Sequence, residues 1–441
     1  LWKQKDMSLR QWQFTLDSLK DLQHQLTKNN LHLNILYGDA LEIFKFLKDK
    51  YNFDSVISEQ ETGIKWTFER DKKLKSFFLQ NDIHWTECAY PGVRRGHHDR
   101  NQWAKFFRKD ILRYPNLPII KQSINLGLKN YDLPKIFYDT TPCPNRQKGG
   151  SREAEKLLST FLNSRGENYQ YEMSSPISAE KSCSRLSTHL TYGTISHRSV
   201  FQEATQKKEK IQLTNKNFAK SINSFLSRLH WRSHFIQKLE DQPSIEHESF
   251  IPVYDQIREK DFRKLDAWIE GKTGVHFIDA CMIYLRNHGW INFRMRAMLA
   301  SFASYNLWLD WRYFGPRLAA LFTDFEPGIH YSQLQMQSGT TGINTIRMYN
   351  PYKQALDQDP EAKFIKSQLP EYNNFPPSFF FKPPELSNNE NLFNDSKLET
   401  IVDVTKTAKF ARDKIFSIRK LPEHQKMAKN VFIRHGSRQN R

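Results

Sequence analysis

The residues that most clearly indicate chemistry lie in the stretch Trp268–Pro351. Arg294 and Arg296 stand two apart in a Trp-rich run of helical pattern, and the acidic pair Asp324 and Glu326 follows at a distance. Buried charges are tolerated when they are paired, so cations and carboxylates gathered in an apolar region suggest that they surround a bound group. The many aromatic residues around them favour a flavin as that group.

The bulk composition allows a globular protein with a sizeable core and a polyanionic partner. The chain has 441 residues, of which 38% are hydrophobic and 13% aromatic, and this length is typical of two or three domains. Its 66 Lys and Arg residues against 48 Asp and Glu give a net charge of +18. Such an excess favours nucleic acid as the partner, while the alternative is a charge that serves solubility alone.

The cysteines do not form a metal-binding pattern. Cys88, Cys143, Cys183 and Cys281 are scattered and no CxxC pair occurs, so we expect no metal and a reduced, cytoplasmic compartment. No apolar run approaches the roughly 20 residues that span a bilayer, and no signal peptide is visible. We therefore expect no membrane association.

Residues 1–115 have the pattern of an α/β domain with a parallel sheet. Strand-like runs alternate with amphipathic helical runs, which is typical of βαβ units. The chain begins at Leu1 inside this pattern, so we expect the sheet to lack its first strand. The helices are predicted at 10–26, 40–48 and 66–79, and the strands at 31–37, 53–58 and 81–87.

The remaining chain divides into a linker, a helical domain and a polar extension. Residues 116–150 are Pro-bearing and aperiodic, and a helical period dominates 151–372, with Ser151 as the expected N-cap of its first helix. Residues 373–441 form the extension, whose last part, 401–441, has eleven Lys or Arg against three Asp or Glu. That part is either a basic nucleic-acid arm or a solvated, partly helical end.

Two further segments have residues that suit an anionic ligand. Cys183, Ser184 and Ser187 precede a helical run, where hydroxyls and free N–H groups can bond phosphate oxygens, although such clusters are commonly helix caps. Arg228 and Arg232 stand four apart on one helical face and need an acid, a phosphate or solvent as partner. An exposed basic stripe is the alternative for this pair.

Four ordered segments of the chain resemble the cryptochrome/photolyase family. They are CSRLSTHLTYGTIS, FLSRLHWRSHF, AWIEGKTGVHFIDACMIYLRNHGWINFRMRAMLASF and MYNPYKQALDQDPEAKFIKSQLPEY, all between residues 151 and 372. The resemblance implies an α/β antenna-type domain at 1–115, followed by an all-helical domain that holds FAD. The antenna chromophore cannot be inferred from the residues of the first domain.

The resemblance also implies roles for individual residues. The phosphate contacts fall on Cys183, Ser184, the backbone of Leu186 and Ser187, with Arg232 nearby. Beside the isoalloxazine the Arg–Asp pair falls on Arg296 and Asp324, which agrees with the need to compensate a permanent guanidinium charge. The remaining cofactor positions fall on Tyr171 (or Tyr169), Phe225, Arg228, Glu326 at the pyrimidine edge and His330 opposite flavin N5.

Several positions depart from the family's pattern for repair. Arg228 stands where a lesion-contacting Glu is expected, and Phe293, Ala297 and Met336 replace an Asn, a Met and a Trp. Trp231 and Arg294 keep the repair-type pocket.

The family's chain of three tryptophans for photoreduction is also incomplete. Trp311 matches the middle one, whereas the flavin-proximal site falls on Leu334. Tyr331, Trp290 or Trp308 are candidates to substitute for it, with ordinary core packing as the alternative for each.

The resemblance implies two functions. The first is a blue-light-driven DNA photolyase that splits UV-induced pyrimidine dimers by electron transfer from reduced FAD, with Trp231, Arg294 and Trp311 as the catalytic residues and the lesion flipped out of the duplex. Such an enzyme would act as a monomer on DNA. The second is a cryptochrome-like photoreceptor without repair activity, which the altered pocket favours.

Overall fold

The computed structural model describes residues 1–96, 100–114, 119–127, 137–383 and 400–436. In chain order its named elements are α1 (Leu9–Thr27), α2 (Ala40–Tyr51), β1 (Ser55–Glu59), α3 (Lys65–Gln80), β2 (His84–Cys88), α4 (Trp103–Ile111), α5 (Ser151–Thr160), α6 (Tyr169–Glu172), α7 (Ala179–Ser182), α8 (Ser187–Thr191), α9 (His197–Ile211), α10 (Lys216–Asp241), α11 (Phe262–Glu270), α12 (His276–His288), α13 (Phe293–Ser301), α14 (Trp311–Leu321), α15 (Pro327–Ser338), α16 (Pro351–Gln358), α17 (Lys363–Gln368), α18 (Val404–Arg419) and α19 (Pro422–His435). In these ranges no helix is both long and apolar enough to cross a bilayer.

The first region is a small α/β unit with a parallel sheet, as the sequence predicts. β1 pairs in parallel with β2, from Ser55 opposite His84 to Glu59 opposite Cys88. The two strands are joined by α3, and Leu74, Phe78 and Ile83 form the core beneath them. A helical crossover is the usual way to connect neighbouring parallel strands, which accounts for the order of elements.

The strand predicted at 31–37 does not form. This segment has no sheet partner among the described residues, and its polar groups bond instead to the stretch 119–127. The His32 N–H donates to Ser123 Oγ, and the Asn34 side chain bonds to the backbone of Ile124 and Leu126. Alternation of apolar residues predicts an extended backbone, but a strand also needs a neighbour with which to exchange hydrogen bonds.

Helix α1 belongs to both regions, because its first turn is buried against the helical part of the chain. Arg10 is fully buried and donates to the carbonyls of Leu285, Arg286 and Leu321, at the ends of α12 and α14. Gln11 donates to the carbonyl of Phe322. The last carbonyls of a helix have no partner within it, so these side chains satisfy groups that would otherwise be buried without hydrogen bonds.

Helix α5 begins at Ser151, with Gly150 as its N-cap rather than Ser151. The acceptor for its first turn comes from α1, since Asp21 Oδ2 accepts from the N–H groups of Ser151 and Arg152. Arg152 Nε donates to the other oxygen of the same carboxylate. The sequence prediction failed here because a tertiary contact supplies the cap.

The helical region encloses a large aromatic core around Trp268, Trp311 and Phe314. Helix α15 runs through this region in contact with α10, α13 and α14. It approaches α10 closely at Gly328, where an added Cβ would lie 2.5 Å from the Cα of Ile236. A side chain at this position would separate the two helices, so the glycine fixes how near the N-terminal end of α15 lies to α10.

The basic C-terminal part is helical and packed over the described residues 404–435. Ala411, Ile415 and Val431 are buried in a cluster with Ile251 and Tyr254. Asn306 donates to the carbonyl of Val404, and Arg434 to that of Asp241. The helical part of the second alternative is confirmed for these residues, but they are packed rather than solvated, and the nucleic-acid arm stays a prediction.

Candidate functional site

The first charged pair of the site joins α13 to the segment before α15. Arg296 Nη2 donates to both oxygens of Asp324, at 2.9 and 2.7 Å, and its Nε donates to the carbonyl of Ile291 at 2.8 Å. The guanidinium lies 4.1 Å from the centre of the Phe322 ring. The Asp324 side chain is 2% exposed and that of Arg296 25%, so the cation keeps an open side. The guanidinium of Arg296 is therefore a permanent positive charge that is held in one position and is partly accessible.

The second charged pair joins α10 to the N-cap of α15. Arg232 Nη2 lies 2.6 Å from Glu326 Oε2, and both side chains are buried. Tyr90 Oη accepts from Arg232 Nε and Nη2, and burial raises the pKa of this phenol to about 12, with Arg232 opposing. Burial also raises the pKa of Glu326, while Arg232 opposes the shift. Tyr90 follows β2, so the α/β region contributes directly to the pair.

His330 is a neutral base beside these pairs. Burial lowers its pKa to about 4, and its Nε2 lies 3.0 Å from the carbonyl of Gly315. A carbonyl can only accept, so Nε2 carries the ring proton and Nδ1 remains an acceptor. His330 is therefore a hydrogen-bond acceptor on α15, four residues after Glu326.

The loop before α8 is held in a strained shape by arginine side chains. Arg185 has φ +62°, which is uncommon for a residue other than glycine, and its guanidinium lies 3.8 Å from the Trp290 ring centre. Arg165 donates to the carbonyls of Cys183 and Ser184. These hydrogen bonds hold the carbonyl groups of Cys183 and Ser184 in place. A positive φ at a residue such as Arg185 persists where the surrounding structure imposes it.

Several polar atoms of this region are buried without a protein partner among the described residues. They are Ser187 Oγ, Arg294 Nε and both amide atoms of Gln333. Gln333 lies three residues after His330 and so on a neighbouring position of the same face of α15. Buried polar groups are almost always hydrogen-bonded, so these atoms fit a bound molecule rich in donors and acceptors. The hydroxyl and guanidinium groups suit phosphate oxygens, and the amide suits a ring with alternating N–H and C=O groups.

The structure brings Tyr169, Phe225 and Arg228 together, and it leaves Tyr171 outside this group. Tyr169 is buried, with ring contacts to Phe161 and Phe225, and a hydrogen bond to Arg228 opposes the burial that raises its pKa. Tyr171 is 62% exposed, with Lys220 over its ring. Both tyrosines lie on the one-turn helix α6, and two residues along a helix change the direction of a side chain by more than a right angle. Tyr169 therefore belongs to the buried group with Phe225 and Arg228, and the contact predicted for Tyr171 stays a prediction.

The residues predicted to meet a lesion lie toward the surface. Trp231 is 42% exposed and Arg228 lies 4.9 Å from its ring centre, while Phe293 is 49% exposed. Arg294 is half-buried and its Nη1 lies 3.5 Å from Gln354 Oε1. Trp311, in contrast, is 1% exposed, and its indole N–H donates to Ser249 Oγ. An exposed tryptophan beside an arginine is suited to stacking on a nucleobase.

Tyr90 and Gln333 are site residues that the sequence analysis missed. Tyr90 lies in an AYPG turn without a distinctive motif, and only the packing of the α/β region on α10 brings it to Arg232. Gln333 is one of several glutamines in α15, and its lack of a partner is visible only in three dimensions.

Comparison with known proteins places these features in one class. Residues 225–417 match the family model for the FAD-binding domain of DNA photolyase, and residues 2–91 match the model for DNA photolyase. The protein belongs to the cryptochrome/DNA photolyase family. It carries the helical FAD-binding domain and the α/β domain of that family.

Proteins named photo-lyases and proteins named cryptochromes are both similar to this chain, at modest sequence identity. The deoxyribodipyrimidine photo-lyase of Halobacterium salinarum is 30% identical over 57% of this chain, and the match spans about half of that relative, 55%. The Escherichia coli deoxyribodipyrimidine photo-lyase is 25% identical over 87% of this chain and 83% of its own length. A cryptochrome of Synechocystis has the same fold, with a TM-score of 0.79 at 19% identity over 92% of this chain and 88% of the other.

Proposed function

We propose that this protein is a blue-light-driven DNA photolyase that splits UV-induced pyrimidine dimers. The observation that carries the proposal is the exposed Trp231 with Arg228 beside its ring, on the same helix as Arg232, which forms a buried pair with Glu326. A stacking surface for an extruded base thus lies next to the cofactor region. Relatives named photo-lyases at 25–30% identity support the same function.

FAD would be held by the helical domain, 151–372, and its phosphates would be held by Cys183, Ser184, the backbone of Leu186 and Ser187. The buried hydroxyl of Ser187, which lacks a protein partner, supports this placement. When bound and reduced, FAD supplies the electron that opens the dimer. Arg296 would hold the negative charge of the reduced ring, Asp324, with which it pairs, would compensate Arg296 when the ring is neutral, and Glu326 would face the pyrimidine edge. Tyr90 and Arg232 keep Glu326 in position.

The DNA side of the reaction requires that the dimer leave the stack. Trp231 stacks on the extruded bases, and Arg294 contacts the lesion from α13. The net charge of +18 attracts the phosphate backbone, so we expect binding to weaken as the salt concentration rises. The α/β domain, 1–115, serves as the antenna-type domain, and the protein acts as a monomer.

A cryptochrome-like photoreceptor is the second candidate, and the altered pocket favours it. Phe293 and Arg228 are exposed where an Asn and a Glu are expected. Ala297 stands in place of a Met, and Met336 stands in place of a Trp. A pocket with these residues lacks the amide and carboxyl groups that would bond a dimer. In a photoreceptor the packed helices α18 and α19 would be the output element.

The deciding experiment uses the FAD-loaded protein and duplexes that contain a single cyclobutane or 6–4 lesion. Light-dependent loss of either lesion establishes the enzyme and identifies its substrate. Flavin that is photoreduced while both lesions persist would instead support the photoreceptor.

A variant pair tests the stacking role directly. Trp231→Ala should weaken binding to lesion DNA by about 1–3 kcal/mol, the usual contribution of a stacked base. Trp66→Ala is the matched control, since Trp66 is 39% exposed but lies on α3. Equal loss of affinity in both variants would contradict the role of Trp231.

A further inference from the structure

A buried tyrosine and a buried aspartate form a hydrogen-bonded pair beside the flavin-facing residues of α15. Tyr331 is 2% exposed, and its hydroxyl donates to Asp6 Oδ2 at 3.0 Å. Asp6 is 5% exposed and lies in the segment before α1. Burying a carboxyl group costs free energy, so packing alone does not account for this pair.

The ring of Tyr331 lies between His330 and Trp311. The ring centres of Tyr331 and His330 are 5.2 Å apart, and those of Tyr331 and Trp311 are 6.3 Å apart. Leu334, which occupies the position of the flavin-proximal tryptophan, is three residues further along the same helix and has no ring to oxidise. Tyr331 is therefore an oxidisable side chain next to both Trp311 and His330, the residue predicted to face flavin N5.

A second acidic side chain, Glu246, interacts electrostatically with Asp6. The Glu246 side chain is 8% exposed, and its Oε1 lies 3.4 Å from Nε2 of His247, which is 54% exposed. Burial raises the pKa of Asp6, and burial together with the Asp6 charge raises that of Glu246 to about 7, against the hydrogen bond from the Lys65 N–H. These carboxyl groups are thus more basic than usual and suited to take up a proton.

We propose that Tyr331 replaces the missing tryptophan as the electron donor during photoreduction, with Asp6 as the acceptor of its proton. One electron leaves the Tyr331 ring for the photoexcited oxidised flavin, while the phenolic O–H bond breaks and an Oδ2–H bond forms on Asp6. A neutral tyrosyl radical remains. One electron from a thiol in solution and the proton from Asp6 then restore the phenol.

The proton transfer is required by the site. A cationic phenol radical would be an unpaired charge in the core, whereas the neutral radical is not charged. A proton acceptor must lie within hydrogen-bond reach, and Asp6 does. The inference rests on the photochemistry of bound FAD, which both candidate functions share, so failure to repair DNA would leave it standing.

Flash photolysis of the FAD-loaded protein with ring-deuterated tyrosine tests the donor. We expect an electron paramagnetic resonance signal of a neutral tyrosyl radical that narrows on deuteration and disappears in Tyr331→Phe. Tyr305→Phe is the matched control, since Tyr305 is 1% exposed and its hydroxyl has no partner among the described residues. A tyrosyl signal that persists in Tyr331→Phe would overturn the proposal.

Asp6→Asn tests the acceptor, because asparagine still accepts the hydrogen bond but cannot take the proton. Radical formation should slow by at least about ten-fold in Asp6→Asn, in keeping with the contribution of a positioned base. Infrared difference spectra should show a new protonated carboxyl band after the flash in the unmodified protein and none in Asp6→Asn. Unchanged kinetics together with an unchanged band would exclude Asp6.

A third measurement guards against misfolded variants. Fluorotyrosine placed at position 331 alone preserves the packing and should split the radical signal through the fluorine nucleus. Absence of that splitting, with a tyrosyl radical still present, would assign the radical to another tyrosine. Absence of any tyrosyl radical, with the flavin still reduced, would assign the donor to a tryptophan.

Discussion

At the scale of single residues, the site depends on charges that are paired within the protein. Arg232 and Glu326 lie 2.6 Å apart and both side chains are buried. Tyr90 Oη accepts a hydrogen bond from the same guanidinium. Removing one partner of such a pair leaves the other charge buried and uncompensated, which costs more than the pair itself contributes. The pair therefore maintains the shape of the site as well as its charge.

Glu326→Gln should lower the free energy of unfolding of the FAD-free protein by about 3–5 kcal/mol, because Arg232 loses its counter-charge. Urea denaturation measures the change. Glu42→Gln is the control, since Glu42 contacts Lys45 at 2.8 Å on the exposed face of α2, and surface pairs contribute about 0–1 kcal/mol. A loss in Glu326→Gln no larger than that of the control would show that the pair is hydrated in solution.

At the scale of elements, α15 sets the geometry of the site. Its N-cap is Glu326, and its first two turns carry His330 and Tyr331. Its position against α10 depends on Gly328, whose missing side chain lets the two backbones meet. A shift of this helix would move the carboxylate, the imidazole and the phenol together.

Gly328→Ala should therefore destabilise the protein by about 1–3 kcal/mol, as overpacked cores do, and weaken FAD binding. The new Cβ would lie 2.5 Å from Ile236 Cα and 3.2 Å from its nitrogen. Both are backbone atoms, so no side-chain rotation can relieve the clash. Gly38→Ala is the control, since its Cβ would meet only the side chain of Ile43, at 3.3 Å. Denaturation and flavin titration of both variants measure the effects, and equal results would show that α15 has room to move.

At the scale of the whole molecule, buried histidines determine how the fold responds to acid. Burial lowers the pKa of His189, His276 and His330 to about 4, below the roughly 6.5 of the unfolded chain. The unfolded state binds these protons first, so stability is present above pH 6.5 and is lost as the pH falls. Glu246 and Asp279, with pKa values raised by burial to about 7 and 6, act in the opposite direction. The histidines outnumber these acids, so we expect a net loss of stability in acid.

His276→Phe isolates one such contribution. His276 lies among Tyr372, Phe379 and Phe380, so phenylalanine fits its surroundings. In the unmodified protein, His276 takes up a proton on unfolding at pH values between about 4 and 6.5, whereas phenylalanine cannot. The stability of the variant relative to the unmodified protein should therefore rise by about 1.4 kcal/mol per pH unit as the pH falls from 6.5 to 4. Urea denaturation across this range measures the slope. His24→Phe, at an exposed position of α1, is the control for replacing a histidine with a phenyl ring.

The sequence by itself determined the class of the protein, because the class depends on local order. The resemblance of four ordered segments to the cryptochrome/photolyase family implied an FAD-binding helical domain, and alternating strand and helix patterns predicted the α/β unit. Patterns of this kind follow from the period of each element, which is written in consecutive residues.

Only the tertiary structure decided which distant groups meet. The partners Tyr90 with Arg232 and Asp6 with Tyr331 are separated by 142 and 325 positions, and no periodicity relates them. The burial of Tyr169 but not of Tyr171, and the lack of a sheet partner for 31–37 among the described residues, likewise depended on neighbours from elsewhere in the chain. Local propensity determines how a segment runs, whereas burial and hydrogen-bond partners are properties of the packed whole.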